Sequence, residues 1–140
     1  MIRSLRGKTP KIHESAFVSE AAYVIGDVEI GEGSSIWPGV VIRGDSSKIK
    51  IGAFTNVQEN SVLHADEDQV IGDYVTIGHI VMCHAVAVGN RCLLGNGAVL
   101  NHGARVGEGS LVAAGAVVVE GMEVPPGSLV AGMPARIRGE

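Results

Sequence analysis

Aromatic side chains are scarce: two Phe, two Tyr and one Trp in 140 residues, 4% in all. A core built on large rings is therefore excluded, and Ile, Val and Ala must fill the interior. Cysteine is scarce too. Cys83 and Cys92 are too few for a disulfide framework. Neither sign of charge dominates, with 11 basic and 15 acidic residues and a net charge of −4. The basic residues are scattered and form no stripe to hold phosphates, so no nucleic-acid partner is expected. No apolar run reaches the roughly 18 residues of a membrane span, and "MIRSLRGKTPKI" lacks the apolar centre of a signal peptide. A soluble, cytoplasmic protein without a membrane partner is the expectation. What abounds is glycine, 20 of 140 residues, against an ordinary share of about 7%. Many short strands joined by tight turns would use it, within one domain at this length.

The order in those strands lies in an internal period. Stepping by six from Ile12 meets Val18, Val24, Ile30, Ile36 and Ile42. After "GDSSKIK" the frame resumes at Ile51, Val57 and Leu63, and after "HADEDQV" at Ile71, Ile77 and Cys83. One five-residue step leads to Val88, then Leu94 and onward by sixes to Val130. Of 20 frame positions, 19 are Ile, Val or Leu. Four residues further on there is usually something small, such as Ala22, Ser34, Thr55, Ser61 or Ala98. A β-sandwich would show irregular strand spacing and alternating polarity. A hexapeptide frame instead predicts an all-β parallel β-helix: three hexapeptides per coil, a triangular prism, frame aliphatics stacked inside about 4.8 Å apart. The predicted organisation is a lead-in at 1–11, the β-helix at 12–135 and a short tail at 136–140.

Counting around the triangle turns sequence into geometry. Let face a begin at Ile12, face b at Val18 and face c at Val24. The position after a frame residue points outward. On face c this series includes Arg43, His64 and His84 on successive coils, so His64 and His84 are predicted neighbours although twenty residues apart. Their spacing suits a shared ion with Zn–N bonds of about 2.0–2.1 Å. His79, two positions after Ile77, falls on face b and would reach that ion only from another subunit, with face b of one chain packed on face c of the next. Such a head-to-tail contact closes into a three-fold ring. Three imidazoles with an open fourth position describe a catalytic metal site, at which a bound water ionises near pH 7. Zinc, iron or cobalt would each fit the donor set.

"SSIWPGVVIRGD" (34–45), "IGAFTNVQENSVLH" (51–64), "VTIGHIVMCH" (75–84) and "SLVAAGAVV" (110–118) together resemble the γ-class carbonic anhydrases. The "RGD…NVQ…H…GH…H" series carries the likeness most specifically, whereas "GMPAR" (132–136) is shared with hexapeptide acyltransferases. The resemblance implies a left-handed β-helix, a homotrimer, and Zn2+ (Fe2+ or Co2+ as substitutes) held between chains by His64, His79 and His84. It implies reversible hydration of carbon dioxide to bicarbonate, a lyase reaction. Gln58 matches a glutamine that orients the reacting water or bicarbonate, and Asn56 lies beside it. Arg43 and Asp45 match an interface ion pair. In place of the long acidic loop that carries a glutamate proton shuttle stands "ADEDQV", where Glu67 or Asp66 is the candidate relay. The usual C-terminal helix after "GMPAR" is not expected here.

Three other readings stay open. One is an acyl- or acetyltransferase with a single general-base histidine and a coenzyme A cleft. Another is a thioesterase-like hydrolase using the same metal. The third is a metal-binding assembly module without catalysis. His13 and His102 fall out of register with the predicted ion. Cys83 and Cys92 read as buried thiols, Trp37-Pro38 as seam packing, and "GDSSKIK" and "HADEDQV" as short coil insertions that stick out near the c-to-a corner.

Overall fold

Each hexapeptide of this chain can bury only one or two aliphatic side chains, so no single strand is stable alone and stacking must supply the core. A computed structural model describes residues 1–140, and in it the chain does this. Twenty short strands form, most of two residues, and no helix forms anywhere. The chain thus holds no helix long and apolar enough to cross a membrane.

Coil lies on coil in the register that the frame predicts. On face a Ile12, Ile30, Ile51, Ile71, Val88, Val106 and Val124 are successive partners. On face b Val18, Ile36, Val57, Ile77, Leu94, Val112 and Val130 follow one another. On face c the order is Val24, Ile42, Leu63, Cys83, Leu100 and Val118. All frame residues are buried except Ile12 and Val18, half-buried in the first coil. Cys83 and Cys92 are buried free thiols as expected. Burial pushes the Cys83 thiol up to about 12, which removes it as a thiolate ligand at neutral pH.

The small residues of the repeat solve the corner problem in two ways. Alanines occupy little space, and hydroxyls bond to the next coil. Ser34 Oγ donates to the Gly52 carbonyl at 2.7 Å and accepts the Thr55 N–H at 3.0 Å. Ser61 Oγ does the same with the Gly78 carbonyl and the Val81 N–H, at 2.7 and 3.0 Å. Glycine is needed where coils touch: a Cβ on Gly31 would stand 2.6 Å from the Gly52 carbonyl oxygen.

Three expectations are refined. Faces c and a form one twelve-stranded sheet, because Tyr23–Ile30 and Val41–Ile51 run unbroken around their shared corner. "GDSSKIK" therefore does not protrude. Pairing passes from Gly26–Gly44 to Val28–Ile49, so the extra residues are absorbed as a bulge inside a strand. Only Asp66 to Asp68 of the second insertion stand out as an exposed bend. The ends also join the sheets. Ile2–Arg3 pairs with Val24 and Ile25, and Arg136–Gly139 returns antiparallel along Leu129–Ala131. Both supply partners for otherwise open strand edges.

Leu94 lies mid-prism with no exposure and has aliphatic neighbours on both adjoining coils, so Leu94→Ala leaves a cavity that stacked coils cannot close. A loss of roughly 2–5 kcal/mol is expected, measured as a shift in the urea unfolding curve.

Candidate metal centre

Outward positions on face c follow the coil register, so Arg43, His64 and His84 rise in one column. His64 and His84 meet: His64 Nδ1 and His84 Nε2 are 3.1 Å apart, with ring centroids at 5.1 Å. Two nitrogens bound tetrahedrally at about 2.0–2.1 Å would be about 3.3–3.4 Å apart. The pair fits a shared ion with almost no movement. Without one, the same spacing suits an N–H···N hydrogen bond.

Asp45 decides which nitrogen of His64 is free. Its Oδ1 stands 2.9 Å from His64 Nε2, and Arg43 Nε lies 3.5 Å from Oδ2. Burial pushes this carboxyl up, but the hydrogen bond from His64, the Ser46 N–H and the Arg43 charge outweigh it. They hold its pKa at about 2, below the ordinary 3.8. Ionised, Asp45 only accepts. His64 Nε2 then carries the proton, and the Nδ1 lone pair faces His84. Such a carboxylate–imidazole tie orients a metal ligand.

Within one protomer His79 does not join this pair. It lies past Ile77 at the b-to-c corner, half-exposed, with its backbone N–H on Asn96 Oδ1 at 2.9 Å. Its Nδ1 is 3.2 Å from Glu59 Oε1. Glu59 went unremarked in the sequence, yet its carboxylate stands beside the His79 ring as Asp45 stands beside His64, although both side chains are here more exposed. The residue after His79, Ile80, adopts φ 55° and is 67% exposed. A β-branched residue in the left-handed region is strained by roughly 1–2 kcal/mol.

The third donor beside the pair within one chain is instead Asp66. Its carboxylate, His64 and His84 offer ligand atoms within 4.8 Å of one another. The remaining predicted residues divide between the walls. Gln58 and Asn56 are half-buried on face b, and Asn56 Oδ1 has no hydrogen-bond partner. Glu67 Oε2 stands 3.7 Å from His102 Nε2, and Asp66 Oδ2 4.0 Å from His102 Nδ1. His102 therefore lies closer to the centre than its register implies, with its ring 5.8 Å from that of His84. Met82, His84, Asn101, His102, Val119 and Glu120 line an open hollow of about 440 Å³.

Because Asp45 titrates lower folded than unfolded, its contribution to stability is complete above about 4 and disappears as pH falls through about 2. Urea midpoints of metal-free protein and Asp45→Asn should differ near neutrality and converge over that interval. The same variant should weaken metal binding by roughly 10–100-fold, read by competition with a chelator.

The family described as bacterial transferase hexapeptide (six repeats) matches residues 9–44 and 85–120. A carbonic anhydrase from Geobacillus kaustophilus is 45% identical over 139 residues, covering 98% of this chain and 76% of its own length. Gamma carbonic anhydrase 1, mitochondrial, from Arabidopsis thaliana is 42% identical over 137 residues, 92% of this chain; the match spans only half of that relative. Among solved structures, a hexapeptide transferase family protein from Anaplasma phagocytophilum superimposes with TM-score 0.95 at 40% identity, over 99% of this chain and 84% of its own. The hexapeptide frame, the in-register imidazoles and these relatives agree that the chain belongs to the γ carbonic anhydrase family of hexapeptide-repeat proteins.

Proposed function

We propose that this protein catalyses the reversible hydration of carbon dioxide to bicarbonate at metal sites shared between the chains of a homotrimer. The observation that carries the reading is the approach of His64 Nδ1 to His84 Nε2, 3.1 Å apart, with Asp45 fixing the free lone pair. Zinc, iron or cobalt would be held by His64 and His84 of one chain and His79 of the next. When bound, the ion supplies a water acidic enough to lose its proton near neutral pH.

Assembly has support in the outward ladders. Face c carries Val41 and Val62 outward, and face b carries Phe17, Trp37, Leu93, Leu111 and Leu129, all exposed in the single chain. Face a presents Lys11, Glu29, Lys50, Arg105 and Glu123 in the same outward positions, interrupted only by Val70 and Ala87. Packing b on c covers the apolar walls and leaves the charged wall to solvent. That packing carries Gln58 and Asn56 on the wall of His79 toward the His64–His84 pair. There the Gln58 amide would orient the attacking water and product oxygen, and Asn56, unsatisfied in the single chain, would find its partner. Glu67 beside His102 offers protons a route from the site to the exposed bend. Met82 and Val119 give the adjoining hollow an apolar floor suited to a small nonpolar substrate.

The transferase reading keeps a foothold in the name of the Anaplasma phagocytophilum structure. Its chemistry asks for one general base and gives no reason for paired imidazoles tied to a carboxylate.

Protein purified without oxygen should contain metal and hydrate carbon dioxide in stopped-flow assays, and His84→Ala should lose both. Metal without hydration would favour the assembly module. Protection against heat by coenzyme A would favour the acyltransferase. Since each site draws on two chains, His79→Ala co-assembled with His64→Ala should regain part of the activity that each lacks alone. No recovery in mixed trimers would refute ligands donated by two chains.

A further inference from the structure

Gln69 stands where the fold has no evident use for a polar side chain. It precedes Ile71 by two residues, an inward position that other coils fill with Val28, Ile49, Val86 and Ala104. Its own exposure is 0%. An amide buried in an aliphatic column costs free energy unless its hydrogen bonds are made. Its Nε2 directs two N–H donors among three carbonyls, Ala85 at 2.6 Å, Cys83 at 3.2 Å and His64 at 3.3 Å, while its Oε1 is buried without a partner.

Those acceptors are not arbitrary. The carbonyls of Cys83 and Ala85 belong to the residues on either side of His84, and the third carbonyl belongs to His64 itself. Neither the His64 nor the Ala85 carbonyl receives a backbone N–H. The cause is local: "HADEDQV" leaves the hexapeptide register at this corner, so the ladder that satisfies carbonyls elsewhere is interrupted. One side chain from that same insertion fills the gap. It ties together two segments twenty residues apart, and these are the segments that bear the paired imidazoles.

We propose that Gln69 is a positioning residue for the metal pair, clamping the backbones of His64 and His84 from inside the prism so that their ring nitrogens stay within bonding distance of one ion. The inference rests on the metal reading above and adds an inner brace to the outer tie made by Asp45. Gln69 touches neither metal nor substrate. It acts through the peptide groups of the ligands. An aliphatic residue would fill the space equally well and would leave those carbonyls free to rotate the ligand backbones.

The test compares Gln69→Met, similar in length but without a donor, with Val106→Ala, a buried face-a change remote from the pair. Two quantities are read on the full chain: Co2+ affinity with the visible spectrum of the bound ion, and urea stability of the metal-free protein. Both variants should lose stability. Only Gln69→Met should also weaken Co2+ binding, by roughly 10–100-fold, with a changed visible spectrum. Should Gln69→Met not fold, Gln69→Asn, which retracts the amide by one methylene, decides by the same readouts. Wild-type affinity and spectrum in the Gln69 variant, or a loss no greater than that of Val106→Ala, would overturn the proposal alone. Failure of the unmodified protein to bind Co2+ would overturn the metal reading and this inference with it.

Discussion

A parallel ladder in strict register places every residue of one coil directly above its counterpart about 4.8 Å below, and the chemistry of this chain depends on that stacking. Seventeen to twenty-one residues of sequence become one step along the prism. Leu63 under Cys83 is a packing contact. Shifted outward by one residue, the same step becomes His64 under His84. The inward aliphatic column and the outward imidazole column are therefore one structure seen from two sides. A slip of one residue would turn the imidazoles into the core and the aliphatics into water. Burial of the frame thus enforces the site without any dedicated loop to hold it.

The two insertions modify this rule where the site needs more than a regular coil provides. Residues 45–48 swell a continuous strand, which lets Asp45 swing beside His64. The bend at Asp66 and Glu67 brings carboxylates toward His84 and His102. The same insertion returns Gln69 to the interior. A hexapeptide coil without extra residues would offer face c only its outward column. Breaking the period at one corner adds the groups that select a tautomer and brace the ligand backbones.

The faces, their register and the His64–His84 pair were legible because period-six counting fixes which residues share a wall. Counting does not tell whether added residues stay within a strand or loop outward, so the first insertion read as a protrusion. It also treats polar residues of an acidic segment as solvated, which hid Gln69. The signal was present: two before the frame residue is an inward position in every coil. Glu59 was invisible for a different reason. Its contact with His79 crosses from one turn to the next, and neither turn belongs to the frame. His102 looked out of register because the count assigns positions to the backbone, while an imidazole at a corner can lean back over the wall by the length of its side chain.

On the proposed assembly, each protomer carries two unfinished things. One is a centre with two oriented imidazoles, and the other is a lone imidazole at the opposite corner. Each unfinished half has a carboxylate beside it, Asp45 hydrogen-bonded to His64 and Glu59 near His79. The orientation of His64 is thus settled within the chain, while coordination would be completed between chains. An ion bound by the assembled form and not by separate chains shifts the association equilibrium toward assembly by mass action. The strained, exposed Ile80 beside His79 fits the same arrangement. Other corners take the same left-handed conformation at Phe54, Tyr74 and Arg91, so what Ile80 offers a neighbouring wall is its exposed side chain. Metal binding and burial of the apolar walls would then draw on the same contact, so metal removal should loosen the assembly before it unfolds the coils.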